Sequence, residues 1–251
     1  MSWISIARRL SVVTTVALAA CSSESTSPAR TAASVSAASS VSRATVGRAA
    51  PSPFQVRVTD DAGAPVAGTA VTWAIAAGGG SLSAASATTD ADGVASTIWT
   101  PGTAAGEGAL TATAAGMTAR FPVELTADAP VAMTMLAGDV QEALVGSELA
   151  TPFSLQVRDR FGNGVMGVGV RWTARTTDAG DVLFDVSPST DATGKAFALF
   201  RLGSDAGERN VIATVDGLGD VAFKVNAFLP PPVEPTLPDT AVVGLRGLRR
   251  K

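Results

Sequence analysis

The sequence contains no histidine and only one cysteine, Cys21. Without an imidazole base, a serine-type catalytic triad is excluded, and a single thiol cannot form an internal disulfide. Two carboxylate pairs remain conceivable for acid–base chemistry, Asp90 with Asp92 and Asp178 with Asp181, but the sequence does not distinguish them from solvated loop charges. We therefore predict a protein that is not an enzyme and that holds no cofactor and no metal ion.

Aromatic and charged side chains are also scarce, at 5% and 16% of residues. The formal net charge is −3, and no basic stripe runs through the repeated part of the chain, so a nucleic-acid partner is not expected. With so few aromatic residues, each hydrophobic core must be built from valine, leucine, alanine and a few large side chains.

What the sequence does contain is one long segment in two copies. Residues 53–73 and 152–172 match at a constant offset of 99 residues, and the match resumes where Thr89-Asp90 aligns with Thr190-Asp191. A duplication with a period of about 100 residues predicts two similar domains in tandem.

Apolar and polar side chains alternate in short runs within each copy. Phe54, Val56 and Val58 would share one face of an extended segment, with the intervening polar side chains on the other face. Such runs, interrupted about every 8–12 residues by glycine, aspartate or proline, are typical of antiparallel strands in a β-sandwich. No segment beyond residue 21 has a helical period, so the sequence predicts an all-β fold.

Aspartate and glycine mark the predicted turns. An aspartate precedes a glycine by three positions at four matching places: Asp60–Gly63, Asp90–Gly93, Asp159–Gly162 and Asp191–Gly194. In a β-turn the aspartate side chain can accept hydrogen bonds from backbone amides, and glycine tolerates the positive φ of the corner. Asp90 and Asp92 also resemble part of a calcium loop, so turn capping and calcium binding are two interpretations of that segment.

The N-terminal 20 residues have the pattern of a signal peptide. Arg8 and Arg9 precede an apolar run, Leu10 to Ala20, that is too short for a permanent membrane span. Leu18-Ala19-Ala20-Cys21 resembles the bacterial lipobox, whose cysteine is acylated and becomes the mature N-terminus. We therefore predict lipidation at Cys21, with a chance cysteine after an ordinary cleavage site as the alternative. Acylation would also exclude catalysis by Cys21 and zinc binding through its thiolate.

The remaining segments join or flank the repeats. Serine and alanine dominate the stretch after Cys21, whose last part is expected to supply the first strand of the first domain, and proline is concentrated after residue 229. The basic end, from Gly244 to Lys251, is expected to be disordered, with a contact to peptidoglycan, lipopolysaccharide or a partner as the alternative. The predicted organisation is a signal peptide at 1–20, a flexible tether at 21–44, domain 1 at 45–127, domain 2 at 131–227, and a Pro-rich basic tail at 228–251.

The ordered motif of each copy resembles the bacterial immunoglobulin-like domain family of invasin and intimin type. The shared positions in the first copy are Val58, Asp60, Gly63, Val66, Gly68, Val71, Trp73, Thr89, Asp90, Gly93, Ala95, Gly102 and Gly106. Those in the second copy are Val157, Asp159, Gly162, Val165, Gly167, Val170, Trp172, Thr190, Asp191, Gly194, Ala196, Gly203 and Gly207. The resemblance implies two Greek-key sandwiches in a cell-surface setting, and a core position for Trp73 and Trp172. Exposed indoles would instead favour sugar stacking.

These observations together predict a lipid-anchored protein of the cell envelope, most simply in the outer membrane. The expected role is that of a structural stalk or display module, attached to the membrane through Cys21. The alternative is an adhesin-like binding protein that recognises a protein or glycan through sandwich loops or an exposed edge strand. A polysaccharide-targeting accessory module is a third possibility. We also expect the short connector, Ala127 to Pro130, to leave little slack between the two domains.

Overall fold

A computed structural model describes residues 30–39 and 41–233 of the chain. Every regular element in these two ranges is a β-strand. Cys21 and the predicted signal peptide lie outside the described residues, as does most of the predicted tail. The all-β prediction is confirmed.

The first sandwich contains ten strands in two main sheets. One sheet has the order β1-β3-β7 and the other β2-β10-β9-β4-β6, with a short β5-β8 ladder beside them. The strands are β1 (Ser34–Ala37), β2 (Arg43–Thr45), β3 (Phe54–Thr59), β4 (Ala70–Ala77), β5 (Ser81–Leu82), β6 (Ser86–Thr88), β7 (Val94–Thr97), β8 (Trp99–Thr100), β9 (Gly106–Ala114) and β10 (Met117–Thr126).

The second sandwich repeats this arrangement with eight strands. Its sheets have the orders β11-β13-β16-β15 and β12-β18-β17-β14. In both sandwiches one short early strand pairs in parallel with the last strand, β2 with β10 and β12 with β18. The strands are β11 (Pro130–Ala137), β12 (Gln141–Leu144), β13 (Phe153–Asp159), β14 (Arg171–Arg175), β15 (Val182–Phe184), β16 (Lys195–Arg201), β17 (Gly207–Val215) and β18 (Gly219–Phe228).

Each core lies between its two sheets. Phe54, Val56 and Val58 of β3 are fully buried, so the predicted alternation is confirmed. In the first core the Phe54 ring meets Phe121 edge-on, with centroids 5.6 Å apart. In the second core Phe153 contacts Phe223 at 5.0 Å. Such aromatic pairs add specific geometry to the apolar area that is buried.

The four predicted Asp–Gly turns are confirmed. At each of them the glycine NH donates to the carbonyl of the aspartate three positions earlier, for example Gly63 to Asp60 at 2.9 Å. The four glycines have φ between +72° and +89°, a region in which a Cβ would be strained. The repeated glycines are therefore explained by backbone geometry.

The predicted boundaries differ from the strands at several points. The predicted tether, 21–44, includes β1 and most of β2, which pair with β3 and β10. These strands are too short for an alternating pattern to stand out. They form because Val35 of β1 and Ala44 of β2 pack against a core supplied by distant strands. Domain 2 begins one residue earlier than predicted, at Pro130, and its last strand ends at Phe228.

Candidate functional site at the junction of the two sandwiches

A buried carboxylate, Asp128, lies in the connector between the sandwiches. Its Oδ1 accepts hydrogen bonds from Arg48, which follows β2, with Nε at 2.7 Å. Its Oδ2 lies 3.2 Å from Nε of Arg160, in the turn after β13. The carboxylate is almost fully buried, whereas both arginines remain more than half exposed. One side chain thus holds a cation from each sandwich.

Asp159 fixes the connector from the second sandwich. Its Oδ1 accepts hydrogen bonds from the backbone NH groups of Phe161 and Asn163, at 2.8 and 2.9 Å, as turn capping predicts. Its Oδ2 accepts a bond from the backbone NH of Asp128 at 2.9 Å. The turn aspartate of the second copy therefore also binds the chain that enters it.

Asn163 bridges back to a loop of the first sandwich. Its Nδ2 donates to the carbonyl of Thr103 at 2.8 Å, and its Oδ1 accepts from the NH of Ala105 at 3.0 Å. The corresponding residue in the first copy is Ala64, which has no side-chain amide. This bridge is thus a feature of the second copy alone.

Phe161 closes the junction over a glycine. A Cβ added at Gly47, where φ is +66°, would be strained and would lie 2.6 Å from Cζ of Phe161, so the ring would have to shift. The Arg160 guanidinium lies 4.6 Å from the centroid of the Phe161 ring, within cation–π range. A Cβ added at the corresponding Gly146 would meet no atom within 4 Å. Gly47 and Gly146 occupy matching positions in the two copies, but only Gly47 is covered by an aromatic ring.

A groove of about 910 Å³ runs beside these contacts. Glu107, Pro122 and Glu124 line its first-sandwich side, and Asn163 and Met166 line the other. Glu124 is paired with Arg43 at 2.7 Å. The second sandwich thus covers one end of the outer face of β9 and β10.

The carboxyls at the junction have lowered pKa values. For Asp128 the largest cause is the hydrogen bond from the backbone NH of Ala129, and Arg48 and Arg160 lower the pKa further against the opposing effect of burial. For Asp159 burial alone would raise the pKa. Hydrogen bonds from the Asn163 side chain and from backbone NH groups outweigh burial, so the pKa of Asp159 is also lowered.

We therefore expect acid to weaken the folded protein. A carboxyl whose pKa is lower in the folded state contributes stability that is complete above its unfolded pKa, about 4, and that is lost as pH falls through the folded value. The melting temperature measured by calorimetry should be constant from about pH 8 to pH 5 and should fall below about pH 4. Asp159→Asn should reduce the size of that fall. An unchanged melting temperature down to about pH 2 would contradict the assignment.

The tryptophans predicted for the core differ in their burial. Trp73 is 2% exposed, as predicted, while Trp172 is half-buried against the second core and donates from Nε1 to the carbonyl of Ser187 at 3.2 Å. Sequence reasoning missed Trp99, which is fully buried and donates from Nε1 to the carbonyl of Gly79 at 2.9 Å. Trp99 follows Ala95 and Thr97 at alternating positions, and this alternation could have marked it as a core residue.

The predicted carboxylate pairs have different environments. Asp90 Oδ1 accepts from the NH groups of Asp92 and Val94, both at 2.9 Å, which confirms turn capping. Within residues 30–39 and 41–233, no cluster of three or more acidic, histidine or cysteine side chains could hold a metal ion.

Asp178 and Asp181, which the sequence could not distinguish from solvated loop charges, are not solvated. Both are buried beside Arg209, whose Nε lies 2.5 Å from Asp181 Oδ2. Backbone NH groups of Asp205 and Gly180 donate to Asp178 and are the largest causes of its lowered pKa. The sequence could not pair these carboxylates with Arg209 because the arginine lies on β17, 31 positions after Asp178 and 28 after Asp181.

Comparison with known proteins identifies the first sandwich. Residues 35–127 match the family model described as a bacterial Ig-like domain, group 1. The first sandwich is a bacterial Ig-like domain. The match begins within β1, which supports the earlier start of the domain that the strands show. The second sandwich repeats the strand pairings of this Ig-like domain, including the parallel pair at its last strand.

Solved structures show the same fold. The Escherichia coli adhesin FdeC is 19% identical with a TM-score of 0.59, and the match covers 78% of this chain and 63% of that chain. InvD of Yersinia pseudotuberculosis is 18% identical with a TM-score of 0.55, and the match covers 78% of this chain and 57% of that chain. The chain therefore spans less than two thirds of either structure. Comparison with curated protein sequences gives no significant match. In the part of the chain that is described, no helix is long and apolar enough to cross a membrane.

Proposed function

We propose that this protein is a non-catalytic stalk of the bacterial cell envelope, anchored by lipid at Cys21. The two Ig-like domains would hold a fixed spacing from the membrane, and the segment between Cys21 and β1 would add reach. The observation that carries the stalk role is the burial of Asp128 between Arg48 and Arg160. A connector fixed at this point restricts bending between the domains.

Three further contacts support a stiff junction. The NH of Asp128 is bound by Asp159, Asn163 bridges to the first domain, and Phe161 covers Gly47. Each involves a residue that the first copy lacks at the matching place or uses differently. A junction with several independent contacts resists rotation about the connector more than one contact would.

Asp128→Asn tests the stalk role. Neutralising Asp128 removes its attraction to both arginines, and we expect a broader distribution of interdomain distances. Double electron–electron resonance between nitroxides at Ala74→Cys and Asp216→Cys would measure it, with Cys21→Ser preventing a third label. Asp61→Asn, an exposed carboxylate in the matching turn of the first domain, is the control. Interdomain distance distributions of equal width in Asp128→Asn and Asp61→Asn would argue against a rigid stalk.

Cys21→Ser tests the anchor separately. Acylation should place the unmodified protein in the membrane fraction, and the variant should lose that association because no acyl chain can be attached. Protease treatment of intact cells would then distinguish the cell surface from the periplasm. Membrane association of the variant equal to that of the unmodified chain would exclude Cys21 as the anchor.

A surface binding protein is the second candidate, and one observation favours it. The outer face of β15 and β16 presents Val182, Phe184 and Phe197, where the first domain has Ser81, Ser83 and Ser96. Val182 and Phe197 are more than 40% exposed. Replacing all three with serine should abolish capture of a protein or glycan partner if this face binds one. If the replacement does not affect capture, this face does not bind the partner, and the stalk is the candidate function that remains.

A further inference from the structure

One end of the outer face of the β12-β18-β17-β14 sheet carries residues that differ from their counterparts in the first domain. This terminal face consists of Val140, Glu142 and Leu144 on and before β12, Glu208 on β17, and Phe228 on β18. Glu142 and Glu208 both face Asn226 of the intervening strand. Since neighbouring strands lie about 4.8 Å apart, the Cα atoms of the two glutamates are about 10 Å apart.

The charges of the terminal face are not neutralised as they are in the first domain. The corresponding row there is Arg43, Glu124 and Glu107, in which Arg43 pairs with Glu124. In the second domain Glu142 replaces the arginine, and neither Glu142 nor Glu208 forms an ion pair among the described residues. Lys224, two positions before Asn226 on the same face of β18, offsets one of the two carboxylates, so the terminal face keeps one excess negative charge and suits a cationic occupant.

The apolar residues of the terminal face are also specific to the second domain. Leu144 and Phe228 are cross-strand neighbours, each more than 40% exposed, and they replace Thr45 and Thr126. Val140 is 74% exposed and has a φ of +53°, an uncommon conformation for a β-branched residue. Its counterpart, Val41, packs against the first core. A shallow cavity of about 320 Å³ is lined by Val140, the two glutamates and Lys224.

The repeat itself indicates which part of the chain belongs on this face. In the first domain the corresponding groove, lined by Glu107 and Glu124, is covered by Asn163 and Met166 of the chain that follows β10. The chain that follows β18 comprises residues 229–251, of which 234–251 lie outside the described residues. Its last twelve residues contain four basic and no acidic side chains, together with Val242, Val243, Leu245 and Leu248.

We propose that residues 240–251 bind the terminal face of the second domain. Arg246 and the three basic residues at the end would pair with Glu142 and Glu208, and the apolar side chains would cover Leu144, Phe228 and Val140. The eighteen residues after Val233 can span about 60 Å when extended. The return from Phe228 to the level of Lys224 needs only about 14 Å. This contact is independent of the lipid anchor and of the stalk role.

Truncation tests where the segment binds. Amide chemical shifts of the full chain are compared with those of a chain ending at Val233. We expect differences concentrated at residues 140–144, at Glu208 and at residues 224–228. Shifts that are identical throughout the second domain would overturn the proposal. Broadening of the full chain on anionic vesicles without such differences would also overturn it, because the segment would then bind a membrane.

Charge neutralisation tests how the segment binds. In Glu142→Gln with Glu208→Gln, tryptic cleavage after Arg246 should become about tenfold faster, since proteolysis follows the population of the unbound segment. Asp216→Asn with Asp220→Asn removes the same charge from the far end of the same sheet and should leave the rate unchanged. The same acceleration should be produced by high salt, which screens exposed pairs. Equal cleavage rates in both double variants would contradict the proposed contact.

Discussion

Arg209→Ala should destabilise the second domain by about 3–5 kcal/mol, the range for removing one partner of a buried ion pair. The arginine is 4% exposed, and its Nη2 also donates to the carbonyl of Asp205 at 2.7 Å. Removing it leaves the fully buried Asp181 carboxylate without its cation. Urea unfolding followed by circular dichroism would measure the change, and the transition of the second domain should move to lower urea.

Two further variants separate charge from packing in this prediction. Arg171→Ala removes an exposed arginine from the edge strand of the same sheet and should change stability by no more than about 0.5 kcal/mol. Adding Asp178→Asn and Asp181→Asn to Arg209→Met should recover part of the loss, because unpaired buried charge is then removed. If Arg209→Ala costs no more than Arg171→Ala, the buried pair does not stabilise this domain.

Trp99→Ala should destabilise the first domain by about 3–5 kcal/mol, the usual cost of truncating a buried tryptophan. The indole is fully buried, contacts the Phe54 ring at 6.1 Å, and bonds the carbonyl of Gly79. The substitution would leave a cavity in place of the indole. Neighbouring side chains cannot easily fill it because two of the residues that face the ring are glycines. A Cβ added at Gly108 would lie 2.7 Å from Cη2 of Trp99, and one at Gly78 would lie 3.1 Å away.

The neighbouring residue provides the control for this prediction. Ile98 is 41% exposed on the other side of the same strand region, so Ile98→Ala should cost much less. Trp172→Ala should lie between the two, because that indole is only half-buried. Unfolding monitored by calorimetry would rank the three variants. A ranking with Trp99→Ala no worse than Ile98→Ala would show that the indole is not a core residue.

Phe200 of the second domain occupies the position that Trp99 holds in the first. It too is buried, but its aromatic partner is Phe153 at 5.9 Å. In the first domain the space beside the larger indole is provided by Gly78, whereas the second domain fills the corresponding region with Asp178, Asp181 and Arg209. The two copies therefore close the same end of the sandwich by different means, one apolar and one ionic.

The sequence by itself determined the repeated all-β architecture and its turns. Alternation in β3 and the Asp60–Gly63 turn are local features, because side-chain direction in a strand and φ at a corner depend on neighbouring residues. For Asp90 and Asp92 the sequence left turn capping and calcium binding as two interpretations, and it did not distinguish the pair from solvated loop charges. It placed β1 and β2 in a tether because their stability comes from pairing with strands far along the chain.

Only the tertiary structure decided the roles of Asp128, Asp159 and Arg209. Asp128 contacts Arg48, 80 positions away, and Arg209 contacts Asp181, 28 positions away. A local pattern cannot predict such pairs, since the separation is bridged by the packing of whole sheets. Asp60 and Asp159 look equivalent in sequence and cap equivalent turns, yet Asp159 also binds the connector because a folded domain precedes it. Burial of a carboxylate thus depends on which surfaces the fold brings together.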